Sequence, residues 1–360
     1  MRFLILLMLL GALNASAIEV KKPSETEVER LSLDTEYYQK YLAIEGFPVI
    51  ASAQVSDYAL KEAVFVIRQM IGHRPDVLHA LNTENVRLTI MGVNQFTTDV
   101  PEHSHLKPAA YWDKRARGLG SSKRAPAVSV GEENLLGYDG DPYREESIMV
   151  HEFAHSIHHG LRILDPKFQQ RLEQTYNRAK LKGLWKKKYA GQNPAEYFAE
   201  CVQSWFDTNR EDDHDHNHVN TRKELIEYDN EAAKLMREIF GDNDWRYIRP
   251  DLRNGGDGHL EGYDVSAAPK FVWPEAIVKA FSDHQSGKGL AQIQPAVLDG
   301  FSLPSVESKH KIQLRVKNRT AQTLRLYWID FKGECKPLGQ VDPDRELVQQ
   351  TFGTHRWVLT

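Results

Sequence analysis

The sequence predicts an α+β protein in which a large, helix-rich domain precedes a small all-β, sandwich-like domain. Helical periodicity dominates residues 56–240, interrupted by short runs rich in β-branched residues at 86–91 and 125–130. From about Lys309 the pattern changes to the strict alternation that is typical of half-buried strands. Two kinds of periodicity in one chain therefore indicate two domains.

Domain boundaries follow from the turn-forming residues around 255–258, where the helical pattern loosens. We place the first domain at 18–260, a connecting segment at 261–300 and the β-domain at 301–360. Residues 1–17 precede the fold and are predicted to be a signal peptide. They combine a positive Arg2, an apolar stretch and a small-residue cleavage site at Ala15-Ser16-Ala17. The protein is therefore expected to be secreted or periplasmic.

Composition narrows the function classes. The net charge is only −4, which argues against a nucleic-acid partner, and no segment after the leader is apolar enough for a membrane span. Cys201 and Cys335 are the two cysteines, so the chain is not a disulfide scaffold. The two cysteines could form one disulfide bridge or be two buried free thiols. Oligomeric state is not predictable.

The first elements follow from periodicity and capping residues. A weakly amphipathic helix is predicted over 28–42, and a stronger one begins at Ser56 or Asp57 and ends near Gly72. Strands are predicted at 86–91 and 125–130, and Pro126 indicates that the second is an edge strand.

The later elements are helical. Asp141 is expected to cap a helix that begins at Pro142 and carries the central motif of the chain. Further helices are predicted at 166–181, 194–206 and 222–240.

The central motif is His151-Glu152-Phe153-Ala154-His155, an H-E-x-x-H sequence. Residues four apart share a helix face, so His151 and His155 can offer two imidazoles to one cation. Glu152 lies at the edge of that face, where it can reach a water on the metal without binding the metal itself. This pattern predicts a hydrolytic Zn²⁺ site.

A third protein ligand is required. The metzincin arrangement would place Gly and His three and six residues after His155, but His158 and Leu161 stand there. The alternative is Glu196 on a later helix. Glu196 is also three residues after Asn193, so a capping pair competes with the ligand role. Glu200 places a second negative charge four residues after Glu196, and such a pair is unfavourable unless a cation lies nearby. We expect Glu200 to orient a ligating histidine.

These residues resemble the gluzincin metallopeptidases, in particular the anthrax-lethal-factor-like and Pro-Pro endopeptidase group. That group pairs H-E-x-x-H with an E-[FY]-F-A-E helix, matched here by His151–His155 and Glu196–Glu200. The resemblance covers about 125–207 and implies a zincin-like fold with zinc bound by His151, His155 and Glu196. It implies Glu152 as general base and Tyr189, seven residues before Glu196, as a stabiliser of the oxyanion. A peptide or protein substrate follows, which the strand at 127–131 could bind by β-augmentation.

Other histidines are weaker candidates. His158 lies three residues after His155 and could support the site or be a partly exposed helix position. The run Asp212–His218 could bind metal loosely or form a solvated loop. Asn318-Arg319-Thr320 is a glycosylation sequon.

From about Ser302 the chain resembles the von Hippel-Lindau (VHL) β-domain, on the evidence of Val316–Thr320, Trp328–Glu334 and Thr354–Trp357. In that family this surface binds a peptide containing 4-hydroxyproline. The resemblance implies Trp328 and Trp357 as pocket walls, with Thr351 and His355 reaching the prolyl hydroxyl.

Two departures limit that resemblance. Leu338 replaces a pocket tyrosine, a neighbouring position is Phe352, and the chain ends before the family's last strands and adaptor-binding helices. The sequence as a whole favours an exported zinc endopeptidase. That both resemblances involve proline chemistry motivates the separate hypothesis that its substrates are proline- or hydroxyproline-containing proteins. The alternative is a secreted peptide-binding protein whose zincin domain is inactive or latent.

Overall fold

The structure is a computed structural model that describes residues 19–253, 258–286 and 304–360. The described residues form two compact units, which divide between 286 and 304. The first is mixed α/β and the second is a small β-region, in agreement with the two classes of periodicity. The predicted signal peptide lies outside the described residues.

The first unit contains eleven named helices and five strands within the described ranges. Its helices and strands in chain order are α1 Glu25–Leu31, β1 Tyr38–Ile44, β2 Phe47–Ser52, α2 Asp57–Ile71, α3 Pro75–Thr83, β3 Arg87–Met91, α4 Ala109–Arg115, β4 Gly118–Leu119, β5 Ala127–Gly131, α5 Glu132–Leu136, α6 Ile148–Leu164, α7 Phe168–Leu181, α8 Pro194–Trp205, α9 Arg222–Tyr228, α10 Asn230–Phe240 and α11 Glu275–Ser286. The α6 and α8 helices carry the residues of greatest interest.

The sheet of the first unit has the strand order β1-β2-β3-β5-β4. Strands β2, β3 and β5 are parallel, whereas β1 and β4 at the two edges run antiparallel to their neighbours. Strand β5 is therefore not the edge strand that Pro126 suggested, because the two-residue β4 pairs with it through Gly118 and Leu119. The edge on that side belongs to β4.

A large apolar core holds most of this unit together, and a smaller separate cluster includes Tyr38 and Ile50. The large core joins strands β2 and β3 to the inner faces of α2, α3, α6, α8 and α10, with Phe153, Phe198 and Trp205 fully buried. Burying a large apolar side chain contributes about 2–3 kcal/mol, so α6 and α8 are fixed against one another by a large favourable term.

Several predicted elements are confirmed and others are wrong. The α2 helix has Ser56 as its N-cap and Gly72 as its C-cap, as predicted. The helix predicted over 28–42 ends at Leu31, and its second half is strand β1. Glu45 and Gly46 both have positive φ, and they close a β1–β2 hairpin that the helical interpretation missed.

Two further helix predictions differ from the structure. Asp141 and Pro142 do not begin the α6 helix; Ser147 caps it instead, accepting from Val150 N at 3.2 Å. The predicted 222–240 helix is two helices, because the Asp229 side chain interrupts it and caps α10.

Residues 265–286, assigned from the sequence to the connecting segment, pack on the first unit. Phe281 of α11 stacks on Tyr111 of α4, with ring centroids 5.5 Å apart, and Lys114 lies over the Trp273 ring.

The second unit contains two small sheets. Its strands are β6 Lys311–Lys317, β7 Leu324–Ile329, β8 Cys335–Val341, β9 Glu346–Phe352 and β10 Arg356–Leu359. The order β10-β7-β8 forms one sheet and β6 pairs with β9 in the other. Its core is small, with Val316, Leu326 and Val341 buried at the centre. Both cysteines are free thiols; Cys201 is buried, whereas Cys335 is exposed.

Candidate metal centre

The α6 helix positions two imidazoles. Its apolar face, including Phe153 and Ile157, is buried in the core, so the helix cannot rotate without exposing that face. His151 and His155 are four residues apart and lie on one side, with ring centroids 5.1 Å apart. Core packing thus fixes the side of the helix from which both side chains project.

The α8 helix brings a carboxylate to the same place. Asn193 is its N-cap and accepts from Ala195 N at 2.9 Å and from Glu196 N at 3.0 Å. The Glu196 carboxylate does not complete a capping box. Its Oε2 lies 3.3 Å from His151 Nε2 and 3.5 Å from His155 Nε2.

These distances fit a bound zinc ion. The donor atoms of His151, His155 and Glu196 all lie within 4.8 Å of one another. Tetrahedral zinc with ligands at about 2.0–2.2 Å requires donor atoms about 3.4 Å apart. Two nitrogens and one carboxylate oxygen are also the donor types that a catalytic zinc takes, with one position left for water or substrate.

The electrostatics of the cluster favour a cation. Burial alone would lower the pKa of His151, but the hydrogen bond with Glu196 and the charges of Glu152 and Glu200 outweigh burial and raise the pKa to about 10. Burial would raise the pKa of Glu196, yet its hydrogen bonds with both histidines hold that pKa far below the ordinary range. Three carboxylates thus stabilise positive charge at one point.

Glu152 lies beside the cluster and over strand β4. Burial raises the pKa of its carboxyl, which suits a group that accepts and returns a proton. A Cβ on Gly118 would lie 2.9 Å from Glu152 Cγ, and one on Gly120 would lie 3.5 Å from Glu152 Oε2. Glycines therefore let the β4 segment pass directly beneath Glu152.

Tyr189 approaches the cluster from a 3-10 helix, Tyr189–Gly191. Its ring centroid lies 6.1 Å from that of His151, and its backbone N donates to Asp215 O at 2.8 Å. Burial, together with the negative charges of Glu196 and Glu152, raises the pKa of the phenol. The hydroxyl therefore keeps its proton near neutral pH and can donate it in a hydrogen bond.

Supporting side chains surround His151. Glu200 Oε1 lies 3.5 Å from His151 Nδ1, and Gln203 Oε1 lies closer, at 2.7 Å. Glu200 is itself held by Asn209 Nδ2 at 3.0 Å and His216 Nε2 at 3.4 Å. Sequence reasoning singled out Glu200 and missed Gln203, which is seven residues after Glu196 on the same face of α8; this periodicity was the available signal.

The other histidine candidates have different environments. His158 is buried between Phe168 and Phe198, with Nε2 2.9 Å from Gln169 Oε1, so it is neither exposed nor part of the cluster. Within Asp212–His218, His216 is buried against Glu200 and Asp213, whereas Asp212, His214 and His218 are exposed. The segment is thus only partly a solvated loop.

In the second unit, His355 stands among aromatic rings. Trp328, Phe331 and Phe352 have ring centroids 5.1–5.6 Å from that of His355. Thr351 Oγ1 lies 2.9 Å from His355 Nδ1, and the structure therefore brings together three of the four predicted peptide-binding residues.

The fourth residue, Trp357, faces Trp328 across the β7–β10 pair and packs against the small core. The sequon residue Asn318 is fully buried, and its amide nitrogen donates to Gln322 O and Val341 O. Asn318 is therefore inaccessible to glycosylation in the folded unit.

Comparisons with known proteins agree with the two resemblances. Residues 55–216 match the family described as anthrax toxin lethal factor, N- and C-terminal domain, and residues 303–360 match the VHL beta domain. No curated protein matches the chain. Among the described residues, no helix is both long and apolar enough to cross a membrane. The first match spans the whole His151, His155 and Glu196 cluster, so the chain is similar to a protease-related family over the region that holds this site.

Proposed function

We propose that this chain is an exported zinc-dependent endopeptidase. The observation that carries the proposal is the convergence of donor atoms of His151, His155 and Glu196 within 4.8 Å of one another, with Glu152 beside them. The similarity to anthrax toxin lethal factor, a zinc metalloprotease, supports the same chemistry. Export rests on the leader-like residues 1–17.

Zinc held by these three residues would supply a water of lowered pKa, near 7, and would polarise a carbonyl oxygen. Glu152 accepts the proton from the attacking water and returns it to the amine that leaves, and burial tunes its carboxyl for both steps. The Tyr189 hydroxyl donates a hydrogen bond to the oxyanion that develops on the scissile carbonyl.

The substrate binds as an added strand on β4. This strand is at the edge of the sheet, and the chain leaves it through Gly120, against Glu152 and His155. An extended peptide that pairs with β4 therefore has its backbone beside the general base. The sequence suggested β5 as the strand that pairs with the substrate, but β4 occupies that edge of the sheet, so we assign substrate pairing to β4.

The second unit is proposed to hold proline- or hydroxyproline-containing segments. The aromatic side chains of Trp328, Phe331 and Phe352 offer faces on which a proline ring can pack. The Thr351–His355 pair supplies polar atoms for a prolyl hydroxyl. This aromatic pocket also supports the second candidate function, a secreted binding protein whose first unit is inactive or latent.

The test is cleavage of a mixed peptide library, including proline- and hydroxyproline-rich members, by the chain from residue 18 onward. Glu152→Gln is the matched control, because it removes the base while keeping the size of the side chain; a zinc chelator is the second control. Mass spectrometry locates the cuts. The proposal expects cuts that disappear in both controls.

Cuts that persist in either control would contradict the zinc mechanism. One bound zinc per chain without any cut would contradict the peptidase and leave the binding protein.

A further inference from the structure

The orientation of the Gln203 amide is determined by its surroundings. This side chain is fully buried on α8. Its Nε2 lies 3.2 Å from Glu146 Oε2 and 3.3 Å from Ser147 O. A carboxylate and a backbone carbonyl are both acceptors, so the amide nitrogen must face them. Gln203 Oε1 therefore points the other way, to His151 Nδ1 at 2.7 Å.

This orientation determines which nitrogen of His151 carries a proton. Gln203 Oε1 only accepts, so His151 Nδ1 must be the donor in this hydrogen bond. The Nε2 atom, which faces Glu196, is then the nitrogen with a free lone pair in the neutral ring. A metal ligand needs this lone pair on the side of the other donor atoms.

The acceptor that holds Gln203 is itself fixed. Glu146 is buried, and its Oε1 lies 2.9 Å from Arg210 Nε. The guanidinium attracts the carboxylate as an ion pair, and the carboxylate, as an acceptor, disfavours rotation of the Gln203 amide by 180°. A chain of Arg210, Glu146 and Gln203 thus ends at the histidine.

Glu200 is the competing partner of His151. Its Oε1 lies 3.5 Å from Nδ1, which is long for a hydrogen bond, and its Oε2 is already occupied by Asn209 and His216. Gln203 is closer and has no other donor at its Oε1 among the described contacts.

We infer that Gln203, rather than Glu200, is the positioning residue that fixes the ring orientation and the Nδ1–H tautomer of His151. The inference rests on the proposed zinc function and deepens it, because it names the side chain that prepares the first ligand.

The experiment compares zinc affinity among variants by competition with a chromophoric chelator. Gln203→Met keeps the side-chain length but removes the acceptor, and zinc binding is expected to weaken by about 10–100-fold. Glu200→Gln is expected to weaken it by less. Gln169→Met is the matched control, because it removes a glutamine–histidine hydrogen bond from His158, which lies on α6 like His151. The zinc affinity of this variant should stay within about twofold of the wild-type affinity.

A second measurement locates the proton on His151 in the wild-type protein and in Glu200→Gln, and it does not require Gln203→Met to fold. Long-range ¹H–¹⁵N NMR of the zinc-loaded chain should show His151 protonated at Nδ1, with a resonance that Glu200→Gln leaves in place. A proton on Nε2 would overturn the inference. So would Gln203→Met binding zinc as tightly as wild type, or Glu200→Gln losing as much affinity as Gln203→Met.

Failure of the proposed function has a different signature. Wild-type protein that binds no zinc would refute the zinc centre itself. Tight wild-type binding with no effect of Gln203→Met would refute only the role of Gln203.

Discussion

Each unit contains a histidine with polar or aromatic neighbours, but the two histidines differ in burial and in the size of the core that supports them. His151 in the first unit is buried on a helix anchored in one large core, with Gln203, Glu196 and Glu200 around it. His355 in the second unit lies beside a half-exposed Phe331 and above a core of a few residues. A metal centre requires donor atoms fixed within tenths of an ångström, and only the first environment supplies that rigidity. A peptide surface tolerates the second.

The largest expected effect is on turnover in the first unit. Tyr189→Phe removes the hydroxyl that donates to the oxyanion, so kcat should fall by about 10²–10³-fold with little change in KM or zinc affinity. Steady-state kinetics on a peptide identified in the library would measure it. Tyr58→Phe is the control, since its hydroxyl bonds to Glu261 O instead. Equal rates for Tyr189→Phe and wild type would remove Tyr189 from the mechanism.

The next largest effect is the pH dependence of folding stability that results from the burial of His158. Burial lowers its pKa from 6.5 to about 4 in the folded protein. Between these values the unfolded chain takes up a proton that the folded chain does not, so stability falls as pH drops from about 6.5 to about 4 and then levels off. The loss attributable to His158 is at most about 3 kcal/mol.

His158→Gln keeps a polar partner for Gln169 but does not titrate. Urea unfolding of both proteins across this pH range should show the wild type losing its advantage over the variant as the solution becomes acidic. Parallel stability curves would mean that His158 is solvated in the folded state.

A smaller effect is expected where β4 passes under α6. A Cβ on Gly118 would lie 2.4 Å from Ile148 Cγ2 and 2.9 Å from Glu152 Cγ. Gly118→Ala should cost about 1–3 kcal/mol of stability and also lower activity, because α6 must shift. Gly258→Ala would bring its added Cβ within 4 Å of no atom of the described residues and should change stability by less than about 0.5 kcal/mol. Similar losses for both glycines, measured by urea unfolding, would mean that β4 does not lie close beneath α6.

The smallest effect concerns the second unit. Thr351→Val should weaken binding of a hydroxyproline peptide by about 1 kcal/mol, a factor of about five, and leave the matched proline peptide unchanged. Calorimetry with both peptides measures the difference. Equal binding of the two peptides by wild type would separate this unit from hydroxyproline recognition.

Much of the fold could be predicted from local signals, and each error has a physical cause. Ser56 and Gly72 bound α2 as capping chemistry requires. The β1–β2 hairpin was missed because its turn, Glu45-Gly46, carries only one typical turn residue. Asp141 resembles an N-cap, but Asn134 and Arg249 bind its carboxylate, and the contact with Arg249, 108 residues away in sequence, leaves no local pattern.

The candidate site divides in the same way. His151 and His155 belong to one short motif on α6, and Glu196 belongs to another on α8. These three residues could be predicted because spacing within a helix determines which face each side chain occupies. The partners of Glu200 could not be predicted, since Asn209 and His216 reach it from a loop after α8. Only the fold brings that loop to the helix.

The central claim is that His151, His155 and Glu196 hold one zinc ion. Anomalous diffraction at the zinc edge, on crystals of the protein grown with zinc, tests it directly. The account predicts a single strong peak about 2.0–2.2 Å from both Nε2 atoms and one Glu196 oxygen. A peak elsewhere, or none at this cluster with zinc present, would contradict it.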